Sequence, residues 1–344
     1  RTVLIHRPPL PRRLALTLAA AAALAAPRLA RAQGAAQPGA GRPDAAWAPD
    51  RPIRLVVPWP PGGSADAQLR SLAEIAGRQL GQTVVVENRS GASGTAAALP
   101  FAQGQVRPDG SGILQMHLSI IRRPAIVRTP PWDINADFTH IIGLCGWLMG
   151  IVVKADSPIR TMRDYWDVAR KNPGRLTYTT SGIATTPHIT MESLAAAEGV
   201  ELLPVPYRAA NEAAVAVVNG EVMSTADASA WAPLVDGGQL RLLCVWSAER
   251  SKRYPEVPTL RETGHDVVAT SPYGLSGPKG MDPGVVRVLH DALKAALFTP
   301  ENERVRGNFD MPLEYRDTAD YRAWVAERAV FEREMAERLK LRID

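Results

Sequence analysis

The sequence predicts an α/β protein of two lobes, each a mainly parallel sheet flanked by helices, with a ligand cleft between them. Three observations point to this class. Short β-branched apolar runs alternate with helical periodicity, the pattern of strands covered on both faces. The order strand, small-residue loop, helix, strand occurs once in each half of the chain. About 310 residues follow an export-like leader, enough for a large core that commonly divides in two.

The leader comes first. Arg7, Arg12 and Arg13 precede an apolar run over 14–26, and Ala30-Arg31-Ala32 fits a small-x-small cleavage signal. This predicts a secretory signal peptide over 1–32, cleaved near Ala32, because the run is too short to span a bilayer. Arg12-Arg13 leaves twin-arginine and ordinary export both open. A Gly-, Ala- and Pro-rich tether is expected over 33–48. The leader holds six arginines and no acid, so of 40 basic and 35 acidic residues in all, 34 and 35 remain beyond it. The basic balance thus belongs to the export signal and gives no argument for nucleic-acid binding. No later segment is long and apolar enough to cross a membrane.

The first strand is expected at 53–57 (IRLVV). Pro58-Trp59-Pro60-Pro61 stops it, and Gly62-Gly63 supply a loop whose backbone can approach a ligand closely. Ser64 or Asp66 is expected to cap a helix carrying Leu69, Leu72, Ala73, Ala76 and Leu80, ended by Gly81. A second strand at 84–86, a loop at 88–94, a helix near 95–103 and a third strand at 113–118 follow. The pattern restarts past 141–153. Thr161 to Asp164 reads as a capping box opening a helix that stops before Asn172-Pro173-Gly174. A strand at 176–179, the polar loop 181–187, a helix at 188–198 and strands at 202–205 and 240–246 come next. Helices at 283–297 and 319–339 close the chain. In the last one, Tyr321, Trp324, Val325, Phe331, Met335 and Leu339 form a docking stripe. Lobe 1 is expected to combine 49–146 with 247–344, and lobe 2 to span 147–246.

Two loops carry the candidate site. Gly62, Gly63 and Ser64 precede one helix, and Thr180, Ser181, Thr185 and Thr186 precede another. The first amides of a helix have no partner within it, so both are ready anion sites. Three or four charge-assisted hydrogen bonds of about 1.5–3 kcal/mol each would reach the roughly 8 kcal/mol of micromolar binding, after losses from ordering and desolvation. Trp59, Asp66, His188, Tyr207 and Asp227 are further ligand candidates, although Asp66 equally fits a helix cap and His188 a packed helix start. Cys145 and Cys244 are compatible with free buried thiols or, in an oxidising compartment, with a disulfide.

The ordered segments Pro52 to Asp66, VVVENRSGASG (84–94), Pro108-Asp109-Gly110, Ala136-Asp137-Phe138, Asn172-Pro173-Gly174, Tyr178 to Gly182, Val205-Pro206-Tyr207-Arg208, 237–241 and Val257-Pro258-Thr259-Leu260 resemble the tripartite tricarboxylate transporter substrate-binding proteins, the Bug receptor family. The resemblance implies a type II periplasmic-binding-protein-like fold. It also implies a hinge, a small carboxylate ligand and membrane permease subunits as partners. The chain departs from the family pattern at Ala184 and Ala209, where glycine is usual, at Met223, where an acid is usual, and at Pro272-Tyr273-Gly274. Extra methyl groups would narrow the pocket, and a lost aromatic wall would widen it. The expected product is a periplasmic monomer with no cofactor, no metal and no catalytic residues. A ligand-presenting sensor and an exported α/β hydrolase are the alternatives. The hydrolase is disfavoured because Gly91-Ala92-Ser93-Gly94-Thr95 lacks the last glycine of a nucleophile elbow.

Overall fold

The computed structural model describes residues 47–343. The expected leader, its cleavage point and nearly all of the tether lie outside the described residues.

In chain order, β1 is Ile53–Val57, α1 Ser64–Leu80, β2 Val84–Asn88, α2 Leu99–Ala102, β3 Gly112–His117, α3 Leu118–Ile126 and β4 Phe138–Cys145. Next come β5 Met149–Lys154, α4 Met162–Lys171, β6 Thr177–Thr180, α5 Thr186–Glu198, β7 Leu203–Pro206, α6 Ala210–Asn219, β8 Ser224–Ala228, α7 Ala232–Asp236 and β9 Leu240–Val245. The last are β10 Tyr273–Pro278, α8 Pro283–Leu297, α9 Pro300–Asn308, β11 Leu313–Arg316 and α10 Thr318–Arg338.

The strands form two sheets, one per lobe, in the orders β11-β4-β10-β3-β1-β2 and β7-β6-β8-β5-β9. Both are mixed rather than mainly parallel. β1 runs parallel to β2 and β3, whereas β10 lies antiparallel to β3 and β4. In the second sheet β6 is parallel to β7 and β8, while β5 is antiparallel to β8 and β9. β5 and β10, each antiparallel to both its neighbours, are the first strands after the chain's two passages between sheets.

Strand periodicity sets the packing. Ile53, Leu55 and Val57 face the core shared with α1 and α8, while Val56 joins Leu114 and Met116 against α3 and α10. On α1, Leu69, Leu72, Ala73 and Ala76 are buried, and Gly81 ends the helix in the left-handed conformation (φ 64°). The expected helix over 95–103 is two short 3-10 turns followed by the four-residue α2, because Ala92 and Ser93 adopt positive φ and delay its start.

α10 corrects the expected docking stripe. Tyr321 and Val325 are buried, but Phe331 is 46% exposed, and the position turned inward is Glu332, fully buried. Glu332 accepts from Arg122 Nε of α3 at 2.5 Å and from Arg328 Nε at 2.8 Å. A buried charge held by two guanidiniums takes the place that apolar periodicity gave to Phe331. Cys145 and Cys244 are free and buried, and burial pushes both thiols up to about 12.

Candidate functional site

The C-terminal ends of β1, β3, β6 and β8 converge on a partly open cavity of about 70 Å³ between the sheets. This is where ligands sit in open α/β sheets. The first-turn residues of four helices line it: Ser64 of α1, Ser119 of α3, Thr186 of α5 and Asn211 of α6. None of these four helices has a side-chain cap; the N-cap residues are Gly63, His117, Thr185 and Ala209. The contrast within the chain is sharp. The described helices of comparable length that lie elsewhere, α4, α8, α9 and α10, are all capped, by Thr161, Asp282, Thr299 and Asp317. The helix starts left without a cap are those whose first-turn residues line the cavity, and the dipole of each helix adds partial positive charge at its start.

Of the sequence candidates, Trp59, Gly63, Ser64, Asp66, Ser181, Thr185, Thr186 and Asp227 line the cavity. Gly62, Thr180, His188 and Tyr207 are not among its lining residues. Gly62 instead donates its amide to Asp66 Oδ2 at 3.0 Å. The Thr180 hydroxyl bonds the Gly182 carbonyl at 3.2 Å, and Tyr207 donates to Glu221 at 3.2 Å.

Asp66 is not the cap of α1. Besides Gly62 it accepts from Arg70 Nε at 3.0 Å and Asn88 Nδ2 at 2.8 Å. Burial would raise its pKa, but these bonds outweigh it and hold the carboxyl below the usual range. Asp66 therefore braces the glycine loop. Asp227 is the opposite case. Burial pushes its carboxyl up to about 7, against bonds to the Ala228 amide and Ser181. Oδ1 accepts from Ala228 N at 2.7 Å and from Ser181 Oγ at 3.3 Å. Oδ2 has no partner among the described residues.

Sequence reasoning missed the contributions of α3 and α6, and the aromatic wall. Trp59 lies 4.8 Å from His117 and 6.4 Å from Trp147, centroid to centroid, and Trp147 packs on Tyr273 at 4.6 Å. Trp147 supplies the wall whose loss the Pro272-Tyr273-Gly274 departure suggested. Burial lowers His117 to about 4, so it is neutral at physiological pH. Among the described residues, no Lys or Arg lines the cavity, and no group of three His, Cys, Asp or Glu could hold a metal.

Lobe 1 grips the loop that starts α5 by successive carbonyls. Ser93 Oγ donates to Ile183 O at 2.8 Å and Arg122 Nη1 to Ala184 O at 2.7 Å. Ala184 has a positive φ of 59°, unusual for a residue with a Cβ, and its methyl packs with Ile126 and Ala336. A Cβ on Gly182 (φ 133°) would lie 2.5 Å from Ser93 Oγ, so only glycine allows the lobes to meet this closely.

The model of the tripartite tricarboxylate transporter family receptor matches residues 68–341. The chain belongs to this family. It is 45% identical over 294 residues to the UPF0065 protein in the gbd 5' region of Cupriavidus necator, covering 85% of this chain and 89% of that one. It is 28% identical to BugT of Bordetella pertussis, over 72% of this chain and 77% of that protein. Among solved structures, the periplasmic binding protein BugD matches with TM-score 0.80 and 27% identity, over 86% of this chain and 99% of that one. An R. palustris protein solved with adipate matches with TM-score 0.78 and 28% identity, over 84% and 97%. Family membership makes the two-sheet cleft that of a solute-binding protein, and its fold is that of the periplasmic binding proteins.

Proposed function

We propose that this protein captures a small carboxylate in the interlobe cavity and delivers it to the membrane subunits of a tripartite tricarboxylate-type permease. The observation that carries this is the convergence of four uncapped helix N-termini on a cavity with no cationic side chain. Backbone amides and helix dipoles recognise an anion without a counter-ion that would hold it too strongly to release. The adipate-bound relative supports a carboxylate as the ligand class, and the family description supports the permease. The protein acts as an exported periplasmic monomer and performs no catalysis. Gly63, Ser64, Ser181, Thr185 and Thr186 form the anion site. Trp59 walls it, and Asp66 shapes it through Gly62.

Residues 49–146 with 247–344 and residues 147–246 act as two bodies that close on the ligand, hinged near the passages from Cys145 to Met149 and from Val245 to Tyr273. Contacts from both lobes give the closed state its advantage, since equal affinity for open and closed forms would move nothing. In a thermal-shift screen of mono-, di- and tricarboxylates and aromatic acids, a ligand at about 100 times its Kd should add roughly 2.7 kcal/mol of stability. No shift with any acid overturns the proposal. With an acid so identified, small-angle scattering should show the radius of gyration fall on saturation. An unchanged distance distribution would mean a rigid, preformed cleft.

A further inference from the structure

The cavity holds more than an anion site. Asp227 is 2% exposed, lies at the end of β8 and lines the cavity, with Oδ1 turned to Ala228 N and Ser181 Oγ and Oδ2 unpartnered. Asn211, in the first turn of α6, also lines the cavity with a buried, unpartnered Oδ1. A buried acceptor without a donor costs about 1–3 kcal/mol, and more when charged. Two of them in one lobe call for a ligand that brings hydrogens. No helix amide reaches either oxygen, so the missing donor has to come with the ligand.

We propose that Asp227, with Asn211 in the same cavity lining, forms a second subsite that selects carboxylates bearing a hydrogen-bond-donating substituent, an ammonium or a hydroxyl, over the same acids without one. This rests on the carboxylate-binding function above. The acid group meets the helix N-termini and the substituent donates to Asp227 Oδ2. Among the described residues the lining offers no cation to compete for Asp227, and Arg70 is engaged by Asp66. A ligand without a donor would strand the Oδ2 acceptor, and stranding a partner is how polar sites discriminate most strongly.

The test is calorimetric titration of matched triads: propionate, lactate and alanine; succinate, malate and aspartate; glutarate, 2-hydroxyglutarate and glutamate. The ammonium and hydroxyl arms separate the two sources of the donor. In the best-binding triad, a substituted acid should bind at least about tenfold tighter than its unsubstituted parent. Asp227→Asn keeps an oxygen for Ala228 and Ser181 but turns an NH2 to the cavity. It should erase or invert that preference while the unsubstituted acid binds as well or better. Equal affinities within the triads, or a preference unchanged in Asp227→Asn, would overturn the subsite and leave the anion site standing. Absence of binding by all nine acids, in calorimetry and thermal shift alike, would overturn the subsite, and the wider acid panel decides the anion site separately.

Discussion

Replacing Arg122 by Met should destabilise the protein by about 3 kcal/mol, because it strands a fully buried carboxylate. Arg122 and Glu332 are 1% and 0% exposed, and their ion pair joins α3 to α10. Arg328 also reaches Glu332 Oε1, at 2.7 Å, which places the cost at the low end of the usual 3–5 kcal/mol range for a broken buried pair. Adding Glu332→Leu should recover most of the loss, since an apolar pair of similar volume replaces buried ion pairs at little net cost. Ligand binding should not recover with it. Arg122 also donates to Ala184 O at 2.7 Å and to Thr186 Oγ1 at 3.4 Å, which fixes the entry to α5 against lobe 1. Chemical denaturation reads the first quantity and calorimetry the second. A double variant that regained both would reduce Arg122 to a purely structural role.

Asp227→Asn should stabilise the ligand-free protein in a pH-dependent way. Burial raises this carboxyl from 3.8 to about 7. The folded state therefore binds the proton more tightly than the unfolded chain, and stability falls as pH rises from about 4 to about 7. At about 1.36 kcal/mol per unit, the wild type loses up to roughly 4 kcal/mol across that window. The Asn variant does not titrate there. Urea unfolding at pH 4, 6 and 8 should show the variant's advantage widening with pH. A constant difference would mean that Asp227 is ionised throughout. A residue that weakens the empty protein at neutral pH fits a group kept for its ligand.

The fold was legible in the sequence because strand and helix periodicities differ, and the runs at 53–57, 113–118 and 240–246 fall where β1, β3 and β9 stand. Sheet direction was not legible, since β10 reaches the first sheet by a long return after β9. Half of the candidate site was visible through Gly63-Ser64 and through Ser181 to Thr186. The other half was hidden for a physical reason. α3 and α6 start at His117 and Ala209 with no capping side chain, and a cap is the signal by which a helix start is read. α1 and α5 are equally uncapped, but Gly63 and Thr185 stand at their starts as residue types that punctuate a sequence, which His117 and Ala209 are not. Phe331 was placed in the docking stripe where Glu332 turns inward, because Glu332's partner Arg122 stands 210 residues away in the chain.

Recognition of an anion by backbone amides is tested most directly by titrating the best-binding acid against its primary amide in the same buffer. The two have nearly the same shape and differ in charge and in one acceptor. The acid is expected to bind at least about a hundredfold tighter, since two charge-assisted bonds of about 1.5–3 kcal/mol are at stake. Equal affinity for acid and amide would contradict an anion site at the four helix N-termini.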